Sequence, residues 1–515
     1  MVAISPPLQP ASRSLRRPQP QASLRVGPAA STEGARKRVV MLVLVVYVLA
    51  IFEGSIRKWL LPQFSQYIYF IRDPFLILAY AIATQHGLWP RNSLLFKVVV
   101  AMCGLGFVLV ILQSAIGGAS DTRFILSVHG YRSYFLYVPL AFLVGAQFQR
   151  PDLTRLYRLT LWLAIPIAVL VFFQFFSPQG AAINVGSSSD ENLQFRGLST
   201  TAERTRPMGT FASGAAQQQF VATAWAIALA LIISAGARRK VPMTLLIPAS
   251  VAVLVCIGLS GSRGTMLQCG LSVGFALMVG VIGRGGALKG RAMVLTLALL
   301  AAAVLLYPLV LPEGYAAFSE RWNAADKAES KTFALGVFGR ALYGLVDFVH
   351  LFDLVPLLGY GLGYGSNASI TLKAEVDGVM PGFLAESDFT RHMVDLGPVL
   401  GMLYIAFRVT LTAWLTAMVL RVTRVVPDPM PLVLLSFVAV VISHGQVTGQ
   451  GTINVYAWLF AGVLIAACNT AHNTAGTTAG TTARTTAAAP TRRIAAAPSR
   501  ARSAAHPERQ KRPLA

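Results

Sequence analysis

Long apolar runs recur along this chain, each parted from the next by a short polar or basic break. A helix crosses a bilayer with roughly 17 to 25 mostly apolar residues, and about twelve segments meet or approach that length. They fall near 38–55, 66–84, 94–114, 131–148, 156–176, 214–236, 241–259, 265–283, 292–311, 396–420, 429–444 and 453–469. Arg132 and several aromatics interrupt the fourth, and Arg72-Asp73-Pro74 interrupts the second. The expected fold class is an all-α polytopic membrane protein. Its expected parts are a basic tail (1–37), nine helices (38–310), a large polar loop (311–395), three more helices (396–469) and a second basic tail (470–515).

Composition agrees with this reading. The chain is 55% hydrophobic and 13% charged, which excludes a water-soluble domain of 515 residues. A net charge of +23 raises nucleic acid as a partner, but about half of the excess lies in the two tails and most of the rest at helix ends. That distribution encodes topology and implies no nucleic-acid partner. The cysteines, Cys103, Cys256, Cys269 and Cys468, sit in or at the end of apolar runs without metal-ligand spacing. They read as small core residues, with no disulfide and no metal. A basic, Pro-rich leader before the first apolar run argues against a cleavable signal peptide. Both tails read as disordered. They are either plain solvated segments or contacts for anionic lipid or a cytoplasmic partner.

Lys and Arg in short loops mark the cytoplasmic side. If the N-terminal tail, with Arg13, Arg16, Arg17, Arg25, Arg36 and Lys37, stays inside, alternation places Arg91, Arg150, Arg155 and Arg158 there too. Arg238, Arg239 and Lys240 follow, then Arg284, Lys289 and Arg291, then Arg421 and Arg424, and finally the basic C-terminal tail. Every basic cluster in a short loop then faces one side, so both termini are expected in the cytoplasm.

The opposite face holds the chemistry. Eleven of the 21 acids lie between Leu311 and Leu396. With them are the loop 177–213, carrying Arg196, Glu203, Arg204 and Arg206, and the turn Ser260-Gly261-Ser262-Arg263-Gly264. Arginine forks bind phosphate bidentately at any working pH, and a tuned carboxylate can remove a proton. The combination suits a substrate with a diphosphate and a hydroxyl to activate. A second polar group, Glu53, Arg57, Lys58, Arg72 and Asp73, reads as ion pairs holding helices in register, with Arg72 reaching Asp73 or Glu53. The rival is that Arg57, Lys58 or Arg72 extends an anion site, and Arg132 is open to both readings.

Four motifs carry a resemblance. Arg206-Pro-Met-Gly-Thr-Phe211 is similar to the R-x-x-G-T-F loop of the O-antigen ligase/polymerase (Wzy/WaaL-like) membrane proteins. Ser260-Gly-Ser-Arg263-Gly264 resembles their S-x-S-R-G/A turn, and Pro356-Leu-Leu-Gly-Tyr-Gly-Leu-Gly363 their P-L-x-G-x-G-x-G element. The segment from Glu386 to Gly401 resembles their H-N-x-[YF]-L-x(4)-E-x-G-x-x-G re-entry into the membrane. Asp395 matches the family acid, whereas Glu386 stands where ligases carry a histidine, and His392 is out of register by six positions. That departure points to the exopolysaccharide-polymerase branch.

The resemblance, from about residue 38 to 469, implies a GT-C-like, metal-independent, inverting glycosyltransferase without a cofactor in the bacterial inner membrane. It would join undecaprenyl-diphosphate-linked oligosaccharide repeat units at the periplasmic face, among membrane lipids and with a possible chain-length regulator as partner. Arg206, Arg263 and Arg204 would bind the diphosphate. Glu386 would accept the proton, with Arg391 and Asp395 orienting it. His392 is the alternative base, and Arg72 and Arg57 the outer candidates. Plainer roles stay open: interfacial arginines for Arg206 and Arg263, a helix cap for Glu386, a tight turn for Gly359, Gly361 and Gly363, solvated charges for Lys373, Glu375 and Asp377. An O-antigen ligase is one alternative function. A lipid-linked oligosaccharide transporter is another, although the paired halves usual in transporters are not visible.

Overall fold

The structure, a computed structural model, describes residues 28–116, 120–186, 204–234, 241–332, 336–372, 374, 376, 380–385 and 387–487. Expectations for Arg196, Glu203, Arg238, Arg239, Lys240, Lys373, Glu375, Asp377 and Glu386, and for most of both tails, fall outside the described residues. Those residues form helices and connecting turns, with no strand. The helices are α1 (Pro28–Ser55), α2 (Asp73–Gln85), α3 (Leu94–Ile116), α4 (Asp121–Tyr131) and α5 (Val138–Gln147), followed by α6 (Arg150–Phe176), α7 (Gly214–Ile233), α8 (Met243–Leu259) and α9 (Arg263–Ile282). Then come α10 (Gly286–Val310), α11 (Pro312–Glu329), α12 (Gly336–Tyr343), α13 (Asp388–Val425), α14 (Met430–His444) and α15 (Gly451–Ala487).

Eight of these are long and apolar enough to cross a membrane among the described residues: α1, α3, α6, α7, α9, α10, α13 and α15. The centre of the bundle is α15, wholly buried over its apolar stretch, with α7 beside it; α10, 6% buried, lies at the rim with its apolar side chains outward. In lipid, helices associate through close packing rather than the hydrophobic effect, so small residues set the approach. A Cβ on Gly462 of α15 would lie 2.7 Å from the carbonyl oxygen of Ala141 in α5, and one on Gly145 would lie 2.7 Å from Ile465. Buried hydroxyl pairs add links between helices, Tyr47 with Thr160 and Ser272 with Ser436, each at 2.7 Å.

Three expectations need correction. First, α1 begins at Pro28, so the N-terminal tail ends earlier than residue 37. Arg36 is not a solvated tail charge: it is buried, donates to Asp152 at 2.7 Å and to the Gln147 carbonyl at 3.0 Å, and ties α1 to α6. Second, α15 continues to Ala487, well past 469. Third, the spans expected at 66–84 and 131–148 are short or broken. Helix α2 has 13 residues, about 20 Å at 1.5 Å per residue, because Pro74 fits a first helical turn and not an interior one.

The segment around Pro139 shows how such a break survives. Between α4 and α5 runs a π-helical turn, Arg132–Leu136. Proline lacks the N–H that the Phe135 carbonyl would need, and a membrane interior offers no water in its place. Side chains from four other helices fill in. Ser133 O accepts from Asn454, Tyr134 O from the Tyr404 hydroxyl at 2.9 Å, Phe135 O from the Cys103 thiol at 3.8 Å, and Leu136 O from the Tyr80 hydroxyl at 2.9 Å. Cys103 therefore acts as a donor, and all four cysteines are unbridged.

Candidate functional site

The polar residues gather at one end of the bundle, where α1 ends and α7, α9, α13 and α15 begin. Glu53 in the last turn of α1 receives Arg72 at 2.7 Å and Arg57 at 3.3 Å. Of the two partners considered for Arg72, Glu53 is the one it reaches. Asp73 turns instead to Arg132 and the Tyr137 hydroxyl, and the Arg132 guanidinium lies 4.6 Å from the Tyr69 ring centre. These pairs join α1, α2 and the π turn, as the register reading expects. Arg72 keeps more than a structural possibility: it is 0% exposed, and its Nε and Nη2 have no hydrogen-bond partner.

Asp388, in the first turn of α13, holds the next layer. Its carboxylate accepts from Arg391 Nη1 at 2.8 Å, Arg408 Nη1, Val447 N at 3.0 Å, Thr448 N at 3.2 Å, Thr448 Oγ1 at 2.8 Å and Gly449 N at 3.2 Å. Arg408 also donates to Ile442 O at 2.8 Å and Gly445 O at 2.7 Å, closing the carboxyl end of α14, where a cation is favoured. His392 accepts from Arg408 through Nε2 at 2.8 Å, so its proton sits on Nδ1 and is donated to the Tyr134 hydroxyl at 3.0 Å. Both ring nitrogens are engaged and the side chain is fully buried. The helix cap is Ser387, whose hydroxyl accepts from Thr390 N at 3.1 Å; Glu386, offered above as a cap, lies outside the described residues.

Asp395 stands where α13 breaks. Gly397 has φ +79, and a Cβ there would lie 2.1 Å from the Leu357 carbonyl oxygen. Pro398 leaves the Val394 carbonyl without its helical donor, and Tyr360 N takes that place at 2.8 Å. The glycine-rich loop after Pro356 is thus seated in the break. Gly363, φ +90, packs against α4, its Cβ position 2.2 Å from the Leu126 carbonyl oxygen. The tight-turn reading of these glycines holds for this geometry. Gln113 of α3 clamps the assembly, donating to Leu358 O at 2.7 Å and Asp395 O at 2.9 Å and accepting from Leu362 N at 3.0 Å. The Asp395 carboxylate accepts from Gly365 N at 2.6 Å through one oxygen; the other is buried without a hydrogen-bond partner. Arg391 reaches the same loop, donating to Gly365 O at 2.8 Å.

The third part is a corner of arginines. Lys58 seats the Arg206–Phe211 loop, donating to Gly209 O at 3.1 Å and Phe211 O at 2.6 Å. Arg206 lies against the start of α7, its guanidinium carbon 3.2 Å from where a Gly214 Cβ would be. Burial and the like charge of Arg321 push its pKa down to about 10. Arg204 pairs with Glu313, and Arg263 forms a two-pronged pair with Glu329 at 3.1 Å and 3.1 Å. This last contact holds the end of α11 over the Ser260–Gly264 turn.

Electrostatics and direct contacts link these parts. Arg321 repels Arg206 and Arg263 repels Arg321, and Arg206 abuts Gly214 beside Ser213. Ser213 Oγ meets Gln450 at 2.9 Å, Gly449 abuts Arg391, and Arg391 meets Gly365 beside Asp395. Sequence reasoning did not single out Arg408, Gln113 or Arg321. The first two are lone polar residues within apolar runs, a signal that by itself marks a buried role; Arg321 looks like any solvated helix charge.

Fold and site together define the class: an all-α polytopic membrane protein with a paired and partly unpaired charge network at one end of its bundle. No protein-family model, no curated protein and no solved structure matches the chain.

Proposed function

We propose that this protein is a glycosyltransferase of the O-antigen/exopolysaccharide polymerase type. It would join undecaprenyl-diphosphate-linked repeat units at the periplasmic face of the bacterial inner membrane. In this reading the chain crosses about twelve times in a GT-C-like arrangement, counting the short helices α2, α5, α8 and α14. The observation that carries it is the run of contacts from Arg206 over the start of α7 and the α14–α15 turn to Arg391, Gly365 and Asp395, with the Ser260–Gly264 turn tied to α7 through Ser262 and Gln218. Four motifs far apart in the chain, each similar to one family's element, are neighbours in space.

The chemistry asks little of the protein. A glycosyl diphosphate already carries its leaving group, so the enzyme neutralises the charge growing on it, orients the acceptor and removes one proton. The acceptor oxygen attacks the anomeric carbon as the bond to the diphosphate oxygen breaks, inverting that carbon. The hydroxyl proton goes to Glu386. Arg206 faces the diphosphate; Arg204 and Arg263 already hold carboxylates. Arg391, fixed between Asp388 and the Gly365 carbonyl, and Asp395 position the base and acceptor.

The test is mass spectrometry of undecaprenyl-linked glycans from strains carrying wild type, a deletion, Arg206→Ala and Glu386→Gln. Single repeat units should accumulate in the deletion and both variants while the protein remains in the membrane. Accumulated long lipid-linked chains would make it a ligase. Unchanged pools would overturn the enzyme reading and favour a transporter.

A further inference from the structure

Arg206 and Arg321 stand apart from most of the arginines at this end. Glu53 serves Arg57 and Arg72, Asp73 serves Arg132, Asp388 serves Arg391 and Arg408, Glu313 serves Arg204, and Glu329 serves Arg263. Neither Arg206 nor Arg321 has a carboxylate partner among the described residues. The charged group acting on Arg206 is Arg321, and the one acting on Arg321 is Arg263, so each meets a like charge. Both are partly withdrawn from water, and Arg321 Nη1 is buried with no hydrogen-bond partner. Burial and repulsion act on both guanidinium groups in the same direction, lowering their pKa values. A buried cation without a partner is costly, and two that repel one another are both relieved by an anion within reach of each.

The surroundings supply the rest of an anion site. Arg206 stacks on the first residue of α7, and Ser262 caps the neighbouring start of α9 by accepting from Thr265 N at 3.3 Å. Two helix amino ends, with their free N–H groups and positive dipole ends, therefore lie beside the arginines. Gln218 ties them together, donating to Gln268 at 3.0 Å and accepting from Ser262 Oγ at 3.3 Å. Arg263 is occupied by Glu329, and its contact carries α11, and so Arg321, into position.

We infer that Arg206 and Arg321 together form an oxyanion site for a diphosphate, with Arg321 its second binding cation and Arg263 a positioning residue. The identity of the diphosphate as that of a lipid-linked glycan rests on the function proposed above; the anion site itself does not. Two guanidinium forks suit two phosphoryl groups, each fork offering paired N–H donors.

The experiment uses the full chain purified in detergent, titrated calorimetrically with inorganic pyrophosphate, with undecaprenyl diphosphate, and with short-chain phosphatidylglycerol as a monophosphate headgroup. Wild type should bind both diphosphates and bind phosphatidylglycerol at least about tenfold more weakly. Arg206→Gln and Arg321→Gln should each weaken pyrophosphate binding by about tenfold or more, the loss of a charge-assisted contact, at an unchanged melting temperature. Arg321→Lys should recover part of the loss, and Arg155→Gln, an exposed change at the other end of the bundle, should bind as wild type. Arg321→Gln binding like wild type, equal affinity for phosphatidylglycerol, or no pyrophosphate binding by wild type would each overturn the inference. Pyrophosphate binding that depends on both arginines, with unchanged glycan pools in the cell, would keep this site and sink the glycosyltransferase reading.

Discussion

Replacing Asp388 by Asn should destabilise the protein more than any other single isosteric change at this end of the bundle. The carboxylate takes hydrogen bonds from two guanidinium groups, three backbone N–H groups and one hydroxyl. An amide keeps one acceptor oxygen and turns two donors of its own towards this crowd. Depending on which oxygen the amide keeps, two or three of the six donors then lose their partner, and each buried unsatisfied group costs about 1–3 kcal/mol before relaxation. Removing one partner of a buried ion pair typically costs about 3–5 kcal/mol, which is the magnitude expected here after the loop Gly445–Gly451 relaxes. At about 2 °C per kcal/mol for a large domain, the melting temperature in detergent should fall by about 6–10 °C. The comparison variant is Asp353→Asn, an exposed acid in the same polar region, expected to change stability by less than about 0.5 kcal/mol. Scanning fluorimetry on both proteins decides the matter. If Asp388→Asn melts within a degree of wild type, the network does not hold α13 to the α14–α15 turn, and the argument fails.

Other perturbations test separate links. Gly397→Ala forces a side chain into φ +79 and against the Leu357 carbonyl, costing more than about 1–3 kcal/mol; limited proteolysis should show faster cleavage around Pro356, and an unchanged pattern would refute the docking of that loop. Tyr404→Phe leaves the Tyr134 carbonyl without its hydroxyl donor, for a loss of about 1 kcal/mol read as a small fall in melting temperature. For orientation, Asp353→Cys in a background lacking the native cysteines should react with an impermeant maleimide on intact spheroplasts, and Arg424→Cys only after lysis; the reverse pattern would overturn the assigned sidedness.

Much of the class was legible because membrane insertion is read from local composition. Apolar runs long enough to span, and basic residues at their ends, depend on no distant contact. The same local logic marked Glu53, Arg57, Arg72 and Asp73 as an ion-pair group, with Arg72 offered either acid, since ionised groups within apolar helices need partners. It failed at Arg36, which composition assigns to a solvated tail and packing buries against Asp152. It also failed at the π turn before α5, where the helix survives because Asn454, Tyr404, Cys103 and Tyr80 arrive from elsewhere.

By itself, then, the sequence determined an all-α membrane bundle, its break at Pro74, and the polar character of one face. Hydropathy, proline and glycine act over a few residues. Which charges neutralise one another was decided by tertiary structure alone. Asp388 and Arg408 are 20 residues apart on one kinked helix, and Arg263 and Glu329 are 66 apart on two. Ion pairing falls off within a few ångströms, so it is settled by how helix ends meet. That meeting leaves Arg206 and Arg321 without a carboxylate among the described residues.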